Sequence, residues 1–490
     1  METLTPKDFE DTNPLSTTSR RVFIKGLGFV SVALILSTLG GCDQLAEAIK
    51  NRPVRRRLRT GSPEVDADIN TYRTAVAAMK ALGAGNPISW AAQAGIHGTV
   101  AGGFNFCEHS TSIQATHFFD WHRAFLFWFE KICQKLSNNP KFGLPYWNWN
   151  QNPAINPAFL VNGDPLFLGR TKTDMTGVWE VSTAALDPIM NDTNFFTFES
   201  TLESTPHNTV HCEVGQTMCT GGSAQDPIFW THHCMIDYCW AKWNLELENN
   251  NTNDTNWTNH VNSHFVDPDG NPVTDTAAVT TLMPLLSYRY ETSAIGSHPA
   301  AVEITTKAAF EKVQARIKAG ANIWFDIKQR VRLADKAAVS IARPFSKETK
   351  LAPQDFAAIV NSDTARDRIF ASIDFASVPM HADFSVHVFV NMPNATAGTS
   401  TEDPHFAGSF AFFGTHTGPA VHPHQPHFLV NLTNAIQKLR SSGQMNEGTP
   451  ISVQLVPVPF AGKFEHEDTQ LELNGIEIIT TPVIINPPPQ

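Results

Sequence analysis

The chain of 490 residues is 42% hydrophobic, and its 47 Asp and Glu outnumber its 36 Lys and Arg to give a net charge of −11. This length accommodates more than one domain with a large core, and the composition is that of a globular chain and excludes a disordered one. No long basic stripe lies beyond the first sixty residues, so the acidic balance predicts no nucleic-acid partner.

The N-terminus predicts an export signal. The stretch SRRVFIK, residues 19–25, precedes an apolar run and resembles a twin-arginine signal, which exports chains that are already folded and often hold their cofactor. The run ends in LGGC, residues 39–42, which resembles a lipobox with Cys42 as the acylated residue. Residues 1–42 therefore predict a lipid-anchored protein of the bacterial cell envelope, in the periplasm or at the cell surface. A permanent transmembrane helix is the alternative, although the run is short for one.

Residues 43–61 are predicted to form a basic linker. They contain KNRPVRRRLR, whose cationic side chains suit a position beside anionic lipid headgroups. Together with an acyl group on Cys42, this stretch supplies the second attachment that stable membrane anchoring needs.

The remaining chain predicts two structural regions. Residues 62–345 carry mostly helical patterns, including EVDADINTYRTAVAAMKALG and AAFEKVQARIKAGANIWFDIKQRVRLADKAA, separated by polar loops. Residues 346–368 predict a linker. From 369 to 490, segments such as FSVHVFV and ISVQLVPVPF alternate as half-buried strands do, which predicts a β-sandwich. The predicted fold class is therefore multidomain α+β, with a mainly α domain followed by a C-terminal β-sandwich domain.

Two groups of histidines predict a pair of metal ions. His207 and His211 are four residues apart and share one face of a helix, and the pair His232 and His233 follows in an amphipathic segment. A second group begins with His97 and continues in the helical pattern THFFDWHRAFLFWFEKICQKL. Sets of three imidazoles suit copper, zinc, iron or nickel, and the scarcity of nearby carboxylates disfavours calcium, magnesium and a di-iron carboxylate site.

Four motifs carry a resemblance to a known family. FFDWHRAFLFWFEKI, LPYWNWN, PHNTVH and DPIFWTHHCMID resemble, in order and spacing, those of the type 3 copper family of tyrosinases and polyphenol oxidases. The C-terminal strands resemble the β-domain that follows the copper domain in plant polyphenol oxidases. The resemblance implies a four-helix-bundle catalytic domain with two copper ions at residues 62–345. If the β-domain covers the copper pocket, as in latent plant enzymes, proteolysis between Lys347 and Asp367 should raise the activity.

The resemblance also implies the copper ligands. The middle ligand of the first copper stays open between two histidines. His109 in Cys107–Glu108–His109 matches the Cys-x-His of fungal tyrosinases, where the cysteine forms a thioether to that ligand. His117 lies five residues before His122, so both bind one ion only if the helix begins between them. The other implied ligands are His97 and His122 for the first copper, and His207, His211 and His233 for the second, with His232 as a neighbour that does not bind.

The resemblance further implies an oxidoreductase that uses O₂ to hydroxylate monophenols to o-diphenols and to oxidise these to o-quinones. Glu203 and Asn208 match the family's glutamate and asparagine that hold a water and assist phenol deprotonation, and Arg123 and Asp237 are predicted to form a buried, supporting ion pair. The expected partners are O₂, a small phenol, the membrane through Cys42 and, as a candidate, a copper chaperone. A catechol oxidase acting only on o-diphenols and a haemocyanin-like oxygen binder are the alternatives.

The cysteines add one expectation. Six remain without Cys42, and an oxidising envelope permits disulfides such as one between Cys212 and Cys219, although the sequence does not fix the pairing.

Overall fold

The computed structural model describes residues 51–110, 116–300, 323–325, 327–362, 367–414, 425–464 and 466–485. The predicted export signal and the acylated Cys42 lie outside these residues. Among the helices of the described ranges, none has both the length and the apolar composition that crossing a bilayer requires.

The first part of the described chain is a helical body. Two of its long helices begin at residues that favour a helix start: Pro63 is the first residue of one, and the Asp226 side chain accepts a hydrogen bond from the backbone N–H of Ile228 at another. The helices are α1 (Pro63–Ala81), α2 (Trp90–His97), α3 (Phe118–Leu136), α4 (Thr183–Met190), α5 (Phe195–Leu202), α6 (Asn208–Val214), α7 (Pro227–Leu245), α8 (Thr255–Thr258), α9 (Ala277–Thr280) and α10 (Met283–Leu286). Its short strands are β1 (Val54–Arg55), β2 (Gly98–Thr99), β3 (Gly103–Phe104), β4 (Val261–Val266), β5 (Pro272–Thr276) and β6 (Arg289–Tyr290).

Aromatic side chains fill the space between α3 and α7. Phe129 stacks on Trp230 with ring centroids 3.5 Å apart, and Phe119 stacks on Trp240 at 5.1 Å. Both helices are buried along nearly their whole length. Truncating a buried ring of this kind costs about 3 to 5 kcal/mol. These two helices are therefore a rigid support for the side chains that lie between them.

The predicted basic linker at residues 43–61 is wrong for its described part, because these residues belong to the helical body. β1 pairs in parallel with β6, and the side chain of Arg55 is fully buried. Its guanidinium lies 2.8 Å from Glu130 Oε2 and 3.0 Å from Asp237 Oδ2. A buried cation requires such partners, so this arginine cannot serve a membrane surface. Two further pairs are Arg56 with Asp68 and Arg59 with Glu291.

Two antiparallel sheets form the C-terminal part and enclose one apolar core. Val388 and Phe410 enter this core from one sheet, and Ile373 and Ile478 enter it from the other. The strands are β7 (Ile323–Phe325), β8 (Gln329–Ala334), β9 (Ala337–Ser340), β10 (Phe345–Thr349), β11 (Asp367–Phe375), β12 (Phe384–Val390), β13 (Phe406–Ala411), β14 (His427–Asn431), β15 (Ile451–Pro459) and β16 (Gln470–Ile485), with helices α11 (Pro353–Val360) and α12 (Thr433–Ser441). The predicted fold class, a helical domain followed by a sheet-rich domain, is confirmed.

The strand order shows how the sheets are assembled. The first sheet has the order β10–β15–β12–β13. In the second, β14, β11 and β16 are neighbours, and β7, β8 and β9 all pair with the long strand β16.

Two predictions for residues before 369 are wrong. The segment predicted as a helix up to residue 338 forms β7, β8 and the start of β9 in its described part, because alternating side chains such as Val331 and Leu333 complete the sheet on β16. The predicted linker at 346–368 contains most of β10, which pairs with β15, as well as α11 and the start of β11. A cut between Lys347 and Asp367 therefore falls inside the sheet-rich domain and does not separate it from the helical body.

The sheet-rich domain packs directly against the helical body. All residues of β12 are buried, although one of its faces points away from the core between the sheets. On that face His387 lies 3.7 Å from the carboxylate of Glu180, and Trp179 of the helical body packs edge-on against Phe406 with centroids 4.8 Å apart. The helical body thus covers the second face of a central strand, which fixes the domain over the histidines.

Candidate metal centre

One half of the histidine cluster stands on α6 and α7. His207 ends a π-helical turn, Glu203–His207, and His211 follows it by one helical turn, so their rings lie 4.5 Å apart. The Nε2 atom of His233 on α7 lies 3.3 Å from Nε2 of His207 and 3.1 Å from Nε2 of His211. Three imidazole nitrogens therefore converge at one point, as the sequence predicted for the second metal ion.

The other half contains His97 at the end of α2 and His122 on α3. Their ring centroids are 5.8 Å apart, and the His122 ring stacks on His233 at 4.4 Å. Gly98 allows α2 to end here, because a Cβ atom at this position would lie 2.3 Å from the carbonyl oxygen of Gly103 and 2.6 Å from that of Gly221. The two halves thus face each other across a distance set by α3 and α7.

Hydrogen bonds fix the orientation of four of these rings. In each case Nδ1 is bound, which leaves Nε2 as the nitrogen that faces the cluster; fixing the second nitrogen in this way is typical of metal-binding histidines. Nδ1 of His97 lies 2.8 Å from Gly221 O, and Nδ1 of His122 lies 2.8 Å from Phe118 O. Nδ1 of His207 lies 2.9 Å from Asn208 Oδ1, and Nδ1 of His211 lies 2.7 Å from Met218 O.

Burial keeps these imidazoles neutral. It lowers the pKa of His97 to about 3, and it lowers the pKa values of His122, His207, His211 and His233 well below the ordinary value of 6.5. Metal ions bind the neutral imidazole, so the cluster is ready for coordination at ordinary pH. Neighbouring imidazoles lower several of these pKa values further, because two cations at this distance repel each other.

The structure places the two candidates for the middle ligand in different surroundings. The buried ring of His109 has Nδ1 2.8 Å from Glu203 Oε1, and Ser110 N donates to the other carboxylate oxygen at 2.9 Å. His109 also adds to the lowering of the pKa of His97 and His207 that burial causes, so it lies beside the cluster. His117 precedes α3, contacts Asp120, and belongs to a different group of side chains.

Cys107 lies at the same edge of the cluster. Its Sγ atom is 3.4 Å from Nε2 of His122, and the ligand atoms of His97, Cys107 and His122 all lie within 4.8 Å of one another. The sulfur thus contacts a predicted ligand other than His109. The thioether between Cys107 and His109 stays a prediction.

The two predicted catalytic residues contact opposite halves of the cluster. Glu203 holds His109 from one side. The Asn208 side chain accepts from His207 and donates from Nδ2 to Ala411 O of the sheet-rich domain at 2.8 Å. Glu203 begins the π-helical turn that joins α5 to α6 and Asn208 is the first residue of α6, so one short segment orients imidazoles in both halves.

A phenylalanine of the sheet-rich domain covers the cluster. The Phe413 ring stacks on His211 with centroids 4.0 Å apart and lies 5.4 Å from His207, 6.2 Å from His97 and 6.4 Å from His109. Gly414, at a φ of 93°, turns the chain after it. Sequence reasoning missed Phe413, since FAGSFAFFG was interpreted only as a strand. The signal was an aromatic residue directly before a glycine at the strand end.

Several supporting predictions are also resolved. Arg123 and Asp237 form the predicted buried ion pair, and Arg55 joins it. Burial raises the pKa of Asp237, but Arg123 and Arg55 outweigh it and lower the pKa below its ordinary value. Trp149 donates from its indole nitrogen to Nδ1 of His232, whose ligand atom lies within 4.8 Å of those of His207, His211 and His233, so the prediction that His232 does not bind stays a prediction. Cys212 and Cys219 form a disulfide.

The donor set fits copper. Nδ1 is hydrogen-bonded in both His207 and His211, so the lone pair on Nε2 of each ring points toward Nε2 of His233. The three Nε2 atoms lie at hydrogen-bonding distances, but one proton on His233 cannot satisfy both neighbours. Within the described part of the chain, Nε2 of His97 is buried and has no hydrogen-bond partner. A metal ion with bonds of about 2.0 Å to neutral imidazoles satisfies these nitrogens, and copper is one of the ions that imidazole suits.

Comparison with known proteins agrees with this geometry. The profile of the common central domain of tyrosinase matches residues 87–177 and 156–246, which include the motifs of both halves. A tyrosinase of Hahella sp., HcTyr1, is 28% identical over an alignment of 294 positions that covers 46% of this chain and 61% of that protein. The latent form of a chloroplastic polyphenol oxidase of Prunus armeniaca is 24% identical over an alignment of 428 positions that covers 73% of this chain and 68% of that protein.

Residues 87–246 of this chain match the common central domain of tyrosinase, and the chain is similar to tyrosinases and polyphenol oxidases. It spans less than two thirds of the Hahella tyrosinase, at 61% of its length. The fold extends the likeness to the C-terminal domain. The structure of a latent apple tyrosinase superposes with a TM-score of 0.58 at 20% identity and covers 88% of this chain and 97% of that one. Family members of this kind are type 3 copper oxidoreductases with a dinuclear copper site.

Proposed function

We propose that this protein oxidises phenols with O₂, hydroxylating monophenols to o-diphenols and oxidising these to o-quinones. The observation that carries the proposal is the convergence of Nε2 atoms from His207, His211 and His233, facing His97 and His122 across a buried space. A copper pair bound there supplies the redox chemistry with O₂. We assign His109 as the sixth ligand, because Glu203 orients its ring as a carboxylate orients a metal-binding histidine.

The chain's own residues prepare the site for a phenol. The buried rings exclude water from the copper pair, and the hydrogen bonds at Nδ1 hold each ring in one orientation. Glu203 and Asn208 lie at the edge of the cluster, within one turn of each other. We assign to this pair the removal of the phenol proton, with Glu203 as the carboxylate that accepts it, directly or through a water held by Asn208.

The test of the proposal is turnover on a monophenol and on its diphenol. The copper-loaded protein should form quinone from both tyrosine and L-DOPA, with two copper ions bound per chain. Quinone from L-DOPA alone identifies a catechol oxidase. Reversible oxygenation without quinone identifies an oxygen carrier, and a colourless protein with tightly bound zinc overturns the copper assignment.

We also propose that the sheet-rich domain keeps the enzyme latent. Phe413 lies over four of the six assigned ligands and is itself only 4% exposed, so the ring restricts the entry of a phenol. Phe413→Ala should raise the turnover of L-DOPA several-fold. Phe406→Ala is the matched control, because Phe406 packs at the same domain interface against Trp179 and away from the histidines. Equal turnover in Phe413→Ala and the wild type would remove the proposal.

The location of the protein rests on sequence patterns alone. We propose export by the twin-arginine route and a lipid anchor at Cys42, with SRRVFIK and LGGC as support. Replacing Arg20 and Arg21 together by lysine should keep the protein in the cytoplasm. Cys42→Ala should release it from the membrane fraction, whereas an unchanged distribution in Cys42→Ala contradicts the anchor.

A further inference from the structure

A second group of potential metal ligands lies at the start of α3, apart from the histidine cluster. Ligand atoms of His117, Asp120 and His260 all lie within 4.8 Å of one another. The side chain of Asp120 is fully buried, whereas those of His117 and His260 are 19% and 28% exposed. The group is thus built on a buried carboxylate and remains open to an ion from solvent.

The buried carboxylate of this group is held in place. Oδ1 of Asp120 lies 3.2 Å from Nδ1 of His117, and Oδ2 accepts a hydrogen bond of 2.9 Å from Asn262. Glu108 adds a second carboxylate, with Oε1 3.5 Å from Nε2 of His260. The rings of His117 and His260 lie face to face with centroids 3.6 Å apart. Two imidazoles and two carboxylates therefore meet at one place.

Hydrogen bonding alone does not account for this arrangement. Among the described residues, Nε2 of His260 is shielded from solvent without a hydrogen-bond partner, and its 3.5 Å separation from Glu108 is long for a hydrogen bond. A buried ring nitrogen without a partner carries a desolvation cost of about 1 to 3 kcal/mol. A ligand that accepts a lone pair from this nitrogen removes that cost.

The charge and donor types point to one class of ligand. The two carboxylates supply two negative charges, which a divalent cation balances. Mixed imidazole and carboxylate donors suit zinc and copper(II), at bond lengths of about 2.0 to 2.2 Å. Donor atoms around a tetrahedral ion with such bonds lie about 3.4 Å apart, and the separations here are all within 4.8 Å.

We propose that His117, Asp120, His260 and Glu108 bind a third metal ion, a divalent ion of the zinc or copper(II) class. Glu108 lies between Cys107 and His109, and His117 immediately precedes the helix that carries His122. An ion bound here would connect the segment that carries His109 to the helix that carries His122. His117, the alternative copper ligand of the sequence-based prediction, thereby acquires a separate role.

Metal counting with Zn²⁺ as the probe tests the site. The full chain, loaded with two copper ions, is dialysed against micromolar Zn²⁺, and the metals are measured by mass spectrometry. The wild type should hold two copper ions and one zinc ion. His260→Phe should lose the zinc ion and keep both copper ions, because phenylalanine preserves the stacking on His117 and removes the donor nitrogen. Glu108→Gln, a change at a partly exposed side chain, should weaken zinc binding at least about tenfold.

His264→Asn is the matched control. His264 lies on β4 after His260, stacks on Phe106 and is outside the group; asparagine tolerates its φ of 74°. This variant should bind zinc as the wild type does. The proposal is overturned if the wild type retains no zinc, or if His260→Phe retains as much zinc as His264→Asn. A loss of copper in His260→Phe would instead place His260 in the copper centre and equally refute a separate site.

Discussion

The two halves of the histidine cluster are built in different ways. The half formed by His207, His211 and His233 stands on consecutive turns and one neighbouring helix, and backbone hydrogen bonds of those helices set its geometry. The half formed by His97 and His122 uses two helix positions that are distant in sequence, and its third member, His109, lies on a non-helical segment. Helices carry all three members of the second half or end at them, whereas the first half has one member, His109, that a distant side chain orients.

Glu203 supplies the main additional contact. Its carboxylate binds both the ring of His109 and the backbone N–H of Ser110, so it orients a loop of the first half from the turn that leads into the second half. Loops have less intrinsic order than helices, and a metal ligand on a loop therefore depends on its supporting shell. The difference between the halves can be tested by removing ligands and supports separately.

The largest effect is expected from His211→Ala. It removes one of three converging nitrogens from the rigid half and leaves a gap beside Phe413. The variant should lose the second copper ion and all quinone formation, while it keeps the first copper ion. Copper content and turnover of L-DOPA measure this outcome, and two copper ions in the active variant would contradict the ligand assignment.

A comparison of His109→Ala with His117→Ala decides the middle ligand of the first half. We expect His109→Ala to lose the first copper ion and the activity, because His109 adjoins His97 and is oriented by Glu203. His117→Ala should keep two copper ions, since His117 faces Asp120 and His260 instead. The reverse result in copper content would assign His117 as the ligand.

Glu203→Gln should have a smaller and selective effect. The amide keeps the size of the side chain but removes the charge that holds His109, and the loss of such a support weakens metal affinity about 10- to 100-fold. Only the first copper ion should be affected, which competition with a chelator measures. Equal weakening of both ions would show that the two halves share their support. A larger loss of turnover on tyrosine than on L-DOPA would in addition report a role for the carboxylate in phenol deprotonation.

Acid should act on both halves alike. The folded pKa values of His97, His122, His207, His211 and His233 lie below those of unfolded chains, so at pH values under about 6.5 the unfolded state binds protons that the folded state cannot. The free energy of unfolding of the metal-free protein should fall as the pH decreases from 6.5 toward these lower values, by up to about 1.4 kcal/mol per pH unit for each ring. Above pH 6.5 these rings contribute no further change. Thermal unfolding of the apoprotein at pH 7 and pH 5 provides the measurement.

The sequence predicted the rigid half almost completely. His207 and His211 share a helix face by spacing alone, and the motif around His233 places its side chain opposite them. It was less informative for the first half, because the position of His109 depends on a contact with Glu203, 94 residues away in the chain. No local periodicity records such a contact.

The same reasoning explains the errors in the fold. The basic stretch around Arg55 indicates a surface cation. Its burial depends instead on Glu130 and Asp237, which are distant in sequence. The strands β8 and β9 lie in a segment with helical composition, and their pairing with β16 overrides that preference. Phe413 escaped notice because its role depends on how two domains pack. Each of these errors therefore concerns a long-range contact.

The hydrogen bond from Asn208 to Ala411 has a consequence for how the enzyme is switched on. Truncating Phe413 opens the entrance but leaves this amide held by the strand, with its oxygen fixed on His207. Removing the whole C-terminal domain opens the entrance and also frees the Asn208 nitrogen to rotate toward an incoming phenol. The enzyme without its C-terminal domain and the Phe413→Ala variant are thus two chemically distinct species. A ratio of tyrosine to L-DOPA turnover that differs between them would report the effect of the Asn208 amide.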